Sequence, residues 1–330
     1  MIKVGLLDPS LRDNNGTIST NIGDVIIYDA VIKVLDDVFK NYDLIRVSTH
    51  SNPDRKLLRN LSHCDVQIIG GTNLFSSDIK SYNQWKFERK LIDKLLFPIK
   101  NIVSLGVGWW QYQSTPTVYT TNYYKKSLSS HFNHSVRDSY TEEKMCEMGF
   151  YNVINTSCPT LWNLSGIALN RKTTKKQDCV FTLTDYKPLV DTDSRLLEKL
   201  LENFSGKLYF FVQGLKDIEY INSLGIYTKN KSRFDFLSTL EEYNSVLKND
   251  VLFVGTRLHA GARALQNKIE TFIFEVDNRT TEIRKDTNFP SVERGNFEAL
   301  QRWLDGEKVF SLMKINEEKI KLWRNQFANL

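Results

Sequence analysis

Arg257 and His259 stand where an apolar stretch gives way to a helical pattern, in the segment NDVLFVGTRLHAGARALQ. The first turn of a helix offers unpaired backbone N–H groups and the positive end of the helix dipole, so this position favours an anion. The guanidinium of Arg257 adds a fork of donors that matches phosphate or carboxylate, and the imidazole of His259 exchanges a proton near neutral pH. The pair predicts an anion site with an acid or base beside it, although a structural arginine and a capping histidine would give the same pattern.

Arg137 and Arg279 also follow predicted strands: Arg137 comes after FNHSV, and Arg279 comes after TFIFEVDN. Ligands of doubly wound sheets bind outside the carboxyl ends of the strands. Three arginines at such ends, together with His259, predict a site for a small anion with more than one charge. Taken alone, Arg137 would instead be half of a surface pair with Asp138.

Polar residues at two further turns suit a sugar. Asn21 and Asp24 open the first long predicted helix, where Asp24 either complements the helix dipole or orients and deprotonates a hydroxyl group. Gly71, Thr72 and Asn73 follow the strand CDVQIIG, where glycine permits close backbone approach and the Asn73 amide can hydrogen-bond a hydroxyl group. We predict that these residues bind a sugar acceptor.

Trp109 lies in the aromatic segment GVGWWQYQ, so its ring could stack on a sugar or pack between domains. The sequence contains no GxGxxG, P-loop, GxSxG or HExxH motif. Its histidines lack metal-ligand spacing, and its cysteines are too far apart for a zinc site or a disulfide framework: Cys64, Cys146, Cys158 and Cys179. We therefore expect neither a metal nor a cofactor.

The elements that must position these residues alternate between strand-like and helix-like stretches. The apolar, strand-like stretches are IKVGLL, YDLIRVS, CDVQIIGG, KNIVSLGVG and FNHSVRD, and later CVFTL, GKLYFFVQG, DVLFVG and ETFIFEV. Helical spacing occurs between them, for example in NQWKFERKLIDKLLF, in SYTEEKMCEMGF with a capping box at Ser139 and Glu142, and in FDFLSTLEEYNSVLK. This alternation predicts parallel sheets covered by helices on both faces.

The chain of 330 residues is longer than one hydrophobic core usually serves. We predict an α/β protein with two doubly wound, Rossmann-like domains that face each other across a cleft. The polar stretch 164–178 is the predicted linker. Residues 1–165 would form the acceptor-side domain, and residues 175–330 the donor-side domain, with C-terminal helices that pack back.

The charge is mildly basic, with 44 Lys and Arg against 39 Asp and Glu. This balance suits an anionic small substrate, whereas no dense basic stripe supports binding to nucleic acid. No apolar run is long enough to span a bilayer, and the N-terminus does not resemble a signal peptide. We expect a cytoplasmic protein that makes at most peripheral contact with the inner face of the membrane.

The ordered set NIGDVII, IIGGTNLF, SVRDSYTEEKM and VGTRLHAGARAL…FIFEVDNR resembles the polysaccharide pyruvyl transferase family, from about residue 2 to about residue 285. The family has a fold similar to that of two-domain GT-B glycosyltransferases. Its members move pyruvate from phosphoenolpyruvate onto a sugar, usually as a cyclic ketal across two hydroxyl groups. Two positions depart from the family pattern: Cys158 replaces a usual acid, and Thr72 replaces the third residue of a usual run of glycines.

The resemblance implies a donor-binding set made of Arg137, Arg257, Leu258 and Arg279, with Arg279 where the family usually carries a basic residue. Phosphoenolpyruvate holds a carboxylate and a phosphate close together, which would explain the arginines. His259 would protonate the methylene carbon, a step that an acid typically accelerates by ~10²–10⁴, and Asp24 would accept the hydroxyl proton. The acceptor-binding set would be Asn21, Gly71, Thr72, Asn73 and Trp109.

We therefore expect a pyruvyltransferase that modifies a surface polysaccharide, such as a capsule or exopolysaccharide, or its lipid-linked precursor. Phosphoenolpyruvate would be the donor substrate. Two alternatives stay open: a nucleotide-sugar glycosyltransferase of the same GT-B architecture, and a non-catalytic sugar- or anion-binding partner in polysaccharide assembly. The sequence specifies neither the acceptor sugar, nor the ketal linkage, nor whether the chain forms a homo-oligomer.

Overall fold

A computed structural model describes residues 1–87, 90–99, 101–167 and 178–330. These residues form two compact units. The first comprises Met1–Ser19, Asp24–Trp162 and Ile315–Leu330, and the second comprises Thr20–Gly23 and Asn163–Lys314. Most of the predicted linker, residues 168–177, lies outside the described residues.

Strands and helices alternate along the chain, as predicted. The strands are β1 (Ile2–Asp8), β2 (Tyr42–Ser48), β3 (Val66–Gly70), β4 (Ile102–Leu105), β5 (His134–Val136), β6 (Val153–Asn155), β7 (Asp178–Thr182), β8 (Leu208–Phe211), β9 (Phe234–Leu237), β10 (Val251–Gly255), β11 (Thr271–Glu275) and β12 (Ser291–Glu293). The α-helices are α1 (Ile22–Val38), α2 (Arg55–Ser62), α3 (Leu91–Leu96), α4 (Val118–Ser127), α5 (Ser139–Glu147), α6 (Val190–Asn203), α7 (Asp217–Ser223), α8 (Gly225–Lys229), α9 (Leu240–Val246), α10 (Leu258–Gln266), α11 (Asn278–Thr287), α12 (Phe297–Leu304) and α13 (Glu317–Asn325). Short 3-10 turns occur at Pro159–Leu161 and Lys231–Arg233.

The sheet of the first unit is parallel and has the order β2-β1-β3-β4. β5 pairs in parallel with β6 and lies beside β4, where the Gly106 amide donates to the Ser135 carbonyl over 3.0 Å. The central strands β3 and β4 are buried along their whole length, as expected of a parallel sheet covered on both faces. The carboxyl ends of β3, β4 and β5 therefore lie next to one another, and we call the residues that follow them the first edge.

The last helix, α13, belongs to the first unit, so the predicted assignment of residues 175–330 to one domain needs correction. The Trp323 indole is fully buried and donates to the Ser104 carbonyl over 3.2 Å. The Phe327 ring lies 5.4 Å from the ring of Phe39. These aromatic side chains remove apolar surface from water when they pack on the first unit, and this burial explains why the tail groups with it.

The sheet of the second unit is parallel and has the order β12-β11-β10-β7-β8-β9. β8 and then β9 follow on one side of β7, whereas β10, β11 and β12 follow in turn on its other side. Neighbouring strands with opposite winding form the switch point of a doubly wound sheet, where a crevice opens at their carboxyl ends. We call the residues that follow β7, β10 and β11 the second edge.

One predicted helix, FDFLSTLEEYNSVLK, is wrong in its first part, because residues Phe234–Leu237 form the edge strand β9. Thr239 ends the strand and starts α9 with a capping box. Its side chain accepts from the Glu242 amide over 3.1 Å, and the Glu242 carboxylate accepts from the Thr239 amide over 3.1 Å. Alternating phenylalanines before such a box indicate a strand and a helix, not one helix.

The predicted fold class is confirmed: the chain is an α/β protein with two Rossmann-like units built on parallel sheets. Among the described residues, no helix combines the length and the apolar character needed to cross a bilayer. The switch point of the second sheet and the carboxyl ends of the first are where a ligand is expected to bind.

Candidate functional site

Arg257 is fixed at the switch point of the second sheet by contacts with the loop after β7. Its amide donates to the Thr182 hydroxyl over 3.1 Å, and its Nε donates to the Leu183 carbonyl over 3.0 Å. Its Nη2 donates to Asp185 over 2.6 Å and also to Asp217. Arg257 is buried, and its Nη1 makes no hydrogen bond to a described residue. One face of the guanidinium is thus held in place, whereas Nη1 can still donate to a ligand.

Asp217 is a buried carboxylate that organises the turn below Arg257. It accepts from the amides of Gln213 and Gly214 over 3.1 and 2.7 Å. Burial raises the pKa of Asp217, and the neighbouring Arg257 lowers it. Gly214 permits this approach, since a Cβ there would lie 2.9 Å from Nη2 of Arg257.

Arg279 lies at the end of the next strand and shares an aromatic neighbour with Arg257. Asp277 caps α11, and its carboxylate accepts from Nη2 of Arg279 over 2.6 Å. The Tyr186 hydroxyl accepts from the same guanidinium. The Cζ atoms of Arg257 and Arg279 lie 5.1 and 5.7 Å from the centre of the Tyr186 ring, within the range of cation–π attraction. The second edge therefore brings two of the three predicted arginines together.

Carboxylates already neutralise these two arginines. Asp185 and Asp217 contact Arg257, and Asp277 contacts Arg279. An incoming anion must therefore bind to N–H groups of the arginines that do not already donate to a carboxylate, or it must displace a carboxylate. The same ion pairs hold the guanidinium groups in fixed positions, which lowers the entropy that a ligand must remove.

His259 and Leu258 occupy the first turn of α10, directly after Arg257, and both side chains are buried. Gly261 lets this helix lie close to β11, since a Cβ there would approach Cδ1 of Ile273 to 2.2 Å. Arg263, one turn further along, is also buried. His259 thus follows Arg257 in the first turn of α10, and its role beside an anion stays a prediction, whereas Leu258 would offer an anion only its backbone.

Arg137, at the first edge, is fully buried and belongs to the first unit. Its Nη2 donates to Oδ1 of Asn73 over 2.6 Å, and its Nε donates to Asp138 over 3.3 Å. Its Nη1 is buried without a hydrogen-bond partner among the described residues. The guanidinium lies on the backbone of Gly108, where a Cβ would come within 2.0 Å of Nη2. Arg137 thus joins the loops that follow β3, β4 and β5.

The loop after β3 bends sharply at two consecutive residues. Gly71 and Thr72 have φ angles of 52° and 56°, both left-handed. Glycine adopts this conformation readily, whereas a β-branched threonine there is strained by about 1–3 kcal/mol. The Thr72 carbonyl accepts from the Gly108 amide over 2.8 Å, which holds the strained bend in place. Thr72, which stands in place of the third glycine of the family pattern, therefore lies at a position where glycine would relieve strain.

Asp138 caps α5, so the predicted cap at Ser139 is wrong by one residue. Its Oδ1 accepts from the amide and the hydroxyl of Thr141 over 2.7 and 2.6 Å. Burial raises the pKa of Asp138, and the adjacent Arg137 lowers it. Burial likewise raises the pKa of the Cys158 thiol, so this residue cannot replace an acid as an anionic group.

Trp109 is not available to a sugar, which corrects its predicted role. The ring is fully buried, donates from Nε1 to Gln113 over 3.0 Å and packs 6.2 Å from the ring of Phe75. The next residue, Trp110, stacks on Tyr82 with ring centres 3.7 Å apart. Of these two consecutive tryptophans, Trp109 is a core residue, whereas Trp110 packs on a loop residue.

Asn21 and Asp24 flank the start of α1 but group with different units. The side chain of Asn21 accepts from the Gly23 amide over 3.1 Å and from Gln213 over 3.3 Å. Asp24 is buried in the first turn of the helix and accepts from the Ser19 hydroxyl over 3.1 Å. Both roles predicted for them in acceptor chemistry stay predictions.

The sequence reasoning missed the residues that hold the arginines: Tyr186, Asp185, Asp217 and Asp277. Asp185 and Tyr186 follow the predicted strand CVFTL, so the rule about strand ends could have identified them. No comparable signal marks Asp217, the first residue of α7. Among the described residues, no group of histidine, cysteine and carboxylate side chains has an arrangement that could hold a metal ion.

Comparisons with known proteins give a family and a fold. The sequence model of the family described as polysaccharide pyruvyl transferase matches residues 21–278. A search of curated proteins gives no match. The chain is similar to the Methanocaldococcus jannaschii UDP-GlcNAc 2-epimerase in complex with UDP-GlcNAc and UDP, with a TM-score of 0.55, 11% identity and coverage of 99% of both chains. It is also similar to S. aureus MnaA in a co-structure with UDP, with a TM-score of 0.54, 10% identity and coverage of 98% of this chain and 91% of that one. At these identities the structural likeness shows the fold alone.

Proposed function

The chain belongs to the polysaccharide pyruvyl transferase family, and we propose that it transfers pyruvate from phosphoenolpyruvate to a sugar as a ketal. The acceptor would be a surface polysaccharide or its lipid-linked precursor. The observation that carries the choice of donor is the second edge, where the guanidinium Cζ atoms of Arg257 and Arg279 lie 5.1 and 5.7 Å from the centre of the Tyr186 ring. Two planar forks of donors suit a ligand that carries a phosphate and a carboxylate close together.

The proposed reaction begins with a proton from His259 to the methylene carbon of phosphoenolpyruvate. Positive charge develops at the neighbouring carbon, and a sugar hydroxyl attacks there as Asp24 takes its proton. The bond from that carbon to the phosphate oxygen then breaks. A second hydroxyl closes the ketal, and its proton leaves with the phosphate, so one donor and one diol give one ketal and one phosphate. An acid in position would accelerate the first step by ~10²–10⁴.

Arg257 would stabilise the phosphate as it leaves. Its Nε and Nη2 are bound by protein oxygens, so the group needs no rearrangement when charge develops on the ligand. Such fixed donors contribute most of their stabilisation in the transition state. Asp185 and Asp217 would therefore act by orienting Arg257, although they weaken its attraction for an anion.

The test is a transfer assay with phosphoenolpyruvate and a panel of galactose, glucose and mannose acceptors that present neighbouring hydroxyl groups. We expect phosphate release, together with an acceptor mass that rises by one pyruvate less one water. Arg257→Lys would lower the rate by ~10²–10³, the range found when a fixed transition-state donor is lost. Arg59→Lys, at an exposed position of α2, is the matched control and keeps full activity.

Absence of phosphate release with every acceptor, together with no measurable binding of phosphoenolpyruvate, would exclude the proposed donor. Thermal stabilisation by nucleotide sugars and not by phosphoenolpyruvate would instead favour a glycosyltransferase of the same fold.

We also propose that the protein binds its acceptor at an anionic membrane surface and that α3 contacts this surface. Leu91 and Leu95 are 75% and 71% exposed on this helix, and Ile92 and Leu96 are exposed beside them. Asp93, on the opposite face, is buried. These four apolar side chains therefore form one outward face of α3.

Charge and area favour lipid as the occupant of this face. Lys90 and Lys94 are exposed beside it, and each lysine near an anionic bilayer contributes about 1 kcal/mol. A stable protein contact buries about 800 Å² on each partner, which is more than four side chains of a single short helix supply. A bilayer needs no complementary shape, and apolar side chains with flanking lysines are typical of interfacial helices. The Arg55 ion pair with Asp93, with an N–O distance of 2.8 Å, holds the helix in this orientation.

A further inference from the structure

Tyr186 reaches across one strand to contact the next. In the second sheet β10 lies between β7 and β11. Tyr186 follows β7, yet its hydroxyl donates to Asp277, after β11, over 3.2 Å. The side chain therefore passes over the carboxyl end of β10, which is where Arg257 lies. The ring centre is 5.1 Å from Cζ of Arg257.

We propose that Tyr186 is the positioning residue that holds Arg257 and Arg279 as a pair, so that the second edge prefers a ligand with two neighbouring anionic groups. The identity of that ligand as phosphoenolpyruvate rests on the proposed function. The ring contacts the guanidinium of Arg257, which carboxylates also hold, and the hydroxyl accepts from the guanidinium of Arg279.

The physical basis is the stiffness of the aromatic side chain. A free arginine side chain samples many rotamers, and ordering it costs about 1.5–2 kcal/mol. Tyr186 contacts Arg257 through the face of its ring and Arg279 through its hydroxyl. It thereby joins two side chains that come from different strands. The adjacent Lys187 supports the same arrangement, since its Nζ donates to the Val276 carbonyl over 3.1 Å.

The carboxylates do not account for the pairing by themselves. Asp185 contacts Arg257 from the loop after β7, and Asp217 contacts it from the start of α7. Asp277 contacts Arg279 two positions further along the chain. Each of these contacts orients a single guanidinium. The spacing between the two guanidinium groups depends on a group that contacts both, and the Tyr186 side chain does so.

A fixed spacing has a consequence for selectivity. A ligand with a phosphate and a carboxylate on the same small skeleton can contact both arginines at once, and the second contact is then intramolecular. Inorganic phosphate and pyruvate each carry a single anionic group, so they lack this second intramolecular contact. Loss of the pairing should therefore weaken phosphoenolpyruvate more than it weakens either single anion.

The experiment compares the full chain with Tyr186→Phe and Tyr186→Leu, and with Tyr151→Leu as a control at a tyrosine that is 89% exposed. Affinities for phosphoenolpyruvate, phosphate and pyruvate are measured by titration calorimetry. We expect Tyr186→Phe to weaken phosphoenolpyruvate about tenfold through the lost hydroxyl contact with a charged group. Tyr186→Leu should weaken it by a further factor of about three through the lost cation–π contact, and phosphate and pyruvate should change less than threefold.

A second readout needs no substrate. Phenylglyoxal modifies exposed guanidinium groups, and peptide mass spectrometry gives the rate at each arginine. Tyr186→Leu should speed the labelling of both Arg257 and Arg279, whereas Tyr186→Phe should speed that of Arg279 alone. Thermal melting of each variant confirms that it is folded.

Unchanged labelling at both arginines in Tyr186→Leu would overturn the positioning role. Equal weakening of phosphoenolpyruvate, phosphate and pyruvate would also overturn it, because a general structural defect has that effect. A wild-type chain that binds no phosphoenolpyruvate, with the expected labelling pattern, would exclude the proposed donor and leave the role of Tyr186 supported.

Discussion

The arginines at both edges are bound by protein oxygens before any ligand arrives. At the second edge carboxylates hold Arg257, and at the first edge Arg137 lies between Asn73 and Asp138. Arginine, aspartate and asparagine are common residues, so their presence after strands could be predicted but their pairing could not. The pairs join residues far apart in sequence, such as Arg257 with Asp185, 72 positions away.

A substitution at Gly108 tests the close approach between the Gly108 backbone and the guanidinium of Arg137. A Cβ at this position would come within 2.0 Å of Nη2 of Arg137, which is fully buried and bound by Asn73. Gly108→Ala should therefore lower the free energy of unfolding by about 3 kcal/mol, from overpacking and a disturbed buried ion pair. Urea unfolding, followed by circular dichroism, measures the change.

The matched control is Gly225→Ala, at a helical position where a Cβ would meet nothing within 4 Å. Its stability should stay the same or rise slightly, since alanine is the better helix former. Equal stability of the two variants would show that Arg137 does not lie against Gly108.

At the scale of elements, the regular alternation of apolar strands and helices was sufficient to predict parallel sheets. It also placed Arg257 at a strand end, because β10 is apolar along its whole length and ends where polar residues begin. The pattern failed for β9, where Phe234 and Phe236 fit a helical period as well as an alternating one. An edge strand of four residues is too short for periodicity to distinguish the two.

The junction between β4 and β5 predicts a specific pH dependence of stability. His134 is buried, accepts from the Ser104 amide over 3.2 Å and contacts the Ser129 carbonyl with its other nitrogen at 2.8 Å. Burial lowers the pKa of His134 from 6.5 to about 4. The unfolded chain therefore binds a proton that the folded chain does not, and stability is lost as the pH falls from 6.5 toward 4.

His134→Gln should remove this slope, which corresponds to about 3 kcal/mol over the whole window at ~1.4 kcal/mol for each unit of pKa. His131→Gln, at an exposed position, is the control and should keep the slope. Urea unfolding between pH 4 and 7.5 measures both variants. A wild-type slope that survives in His134→Gln would assign the pH dependence to other groups.

The outward face of α3 gives a prediction for membrane contact. Leu91→Ser combined with Leu95→Ser should weaken binding to vesicles that contain phosphatidylglycerol by about tenfold or more, since each buried leucine contributes about 1.5–3 kcal/mol. Co-sedimentation with vesicles, at low and high salt, is the measurement. Leu215→Ser removes a leucine that is 70% exposed in the second unit, and it should bind like the wild type. Equal binding of all three proteins would remove α3 as the contact.

At the scale of the whole molecule, the fold could be predicted in nearly all its parts, and the composition of the site only in part. Doubly wound sheets follow from local pattern, which neighbouring residues determine. The burial of a single ring does not follow from the local pattern. Trp109 is a core residue because Phe75 and Tyr124 pack against it. C-terminal helices that pack back were predicted, but the grouping of α13 with the first unit was not, since Trp323 finds its partners in a distant part of the chain.

The central claim is that Arg257 and Arg279 bind phosphoenolpyruvate at the second edge. The most direct test is a crystal structure of the full chain soaked with phosphoenolpyruvate at saturating concentration. We predict one oxygen of the phosphate or carboxylate about 3 Å from Nη1 of Arg257, with the other anionic group at Arg279. Density for the ligand only at another place, with the second edge empty, would contradict the claim.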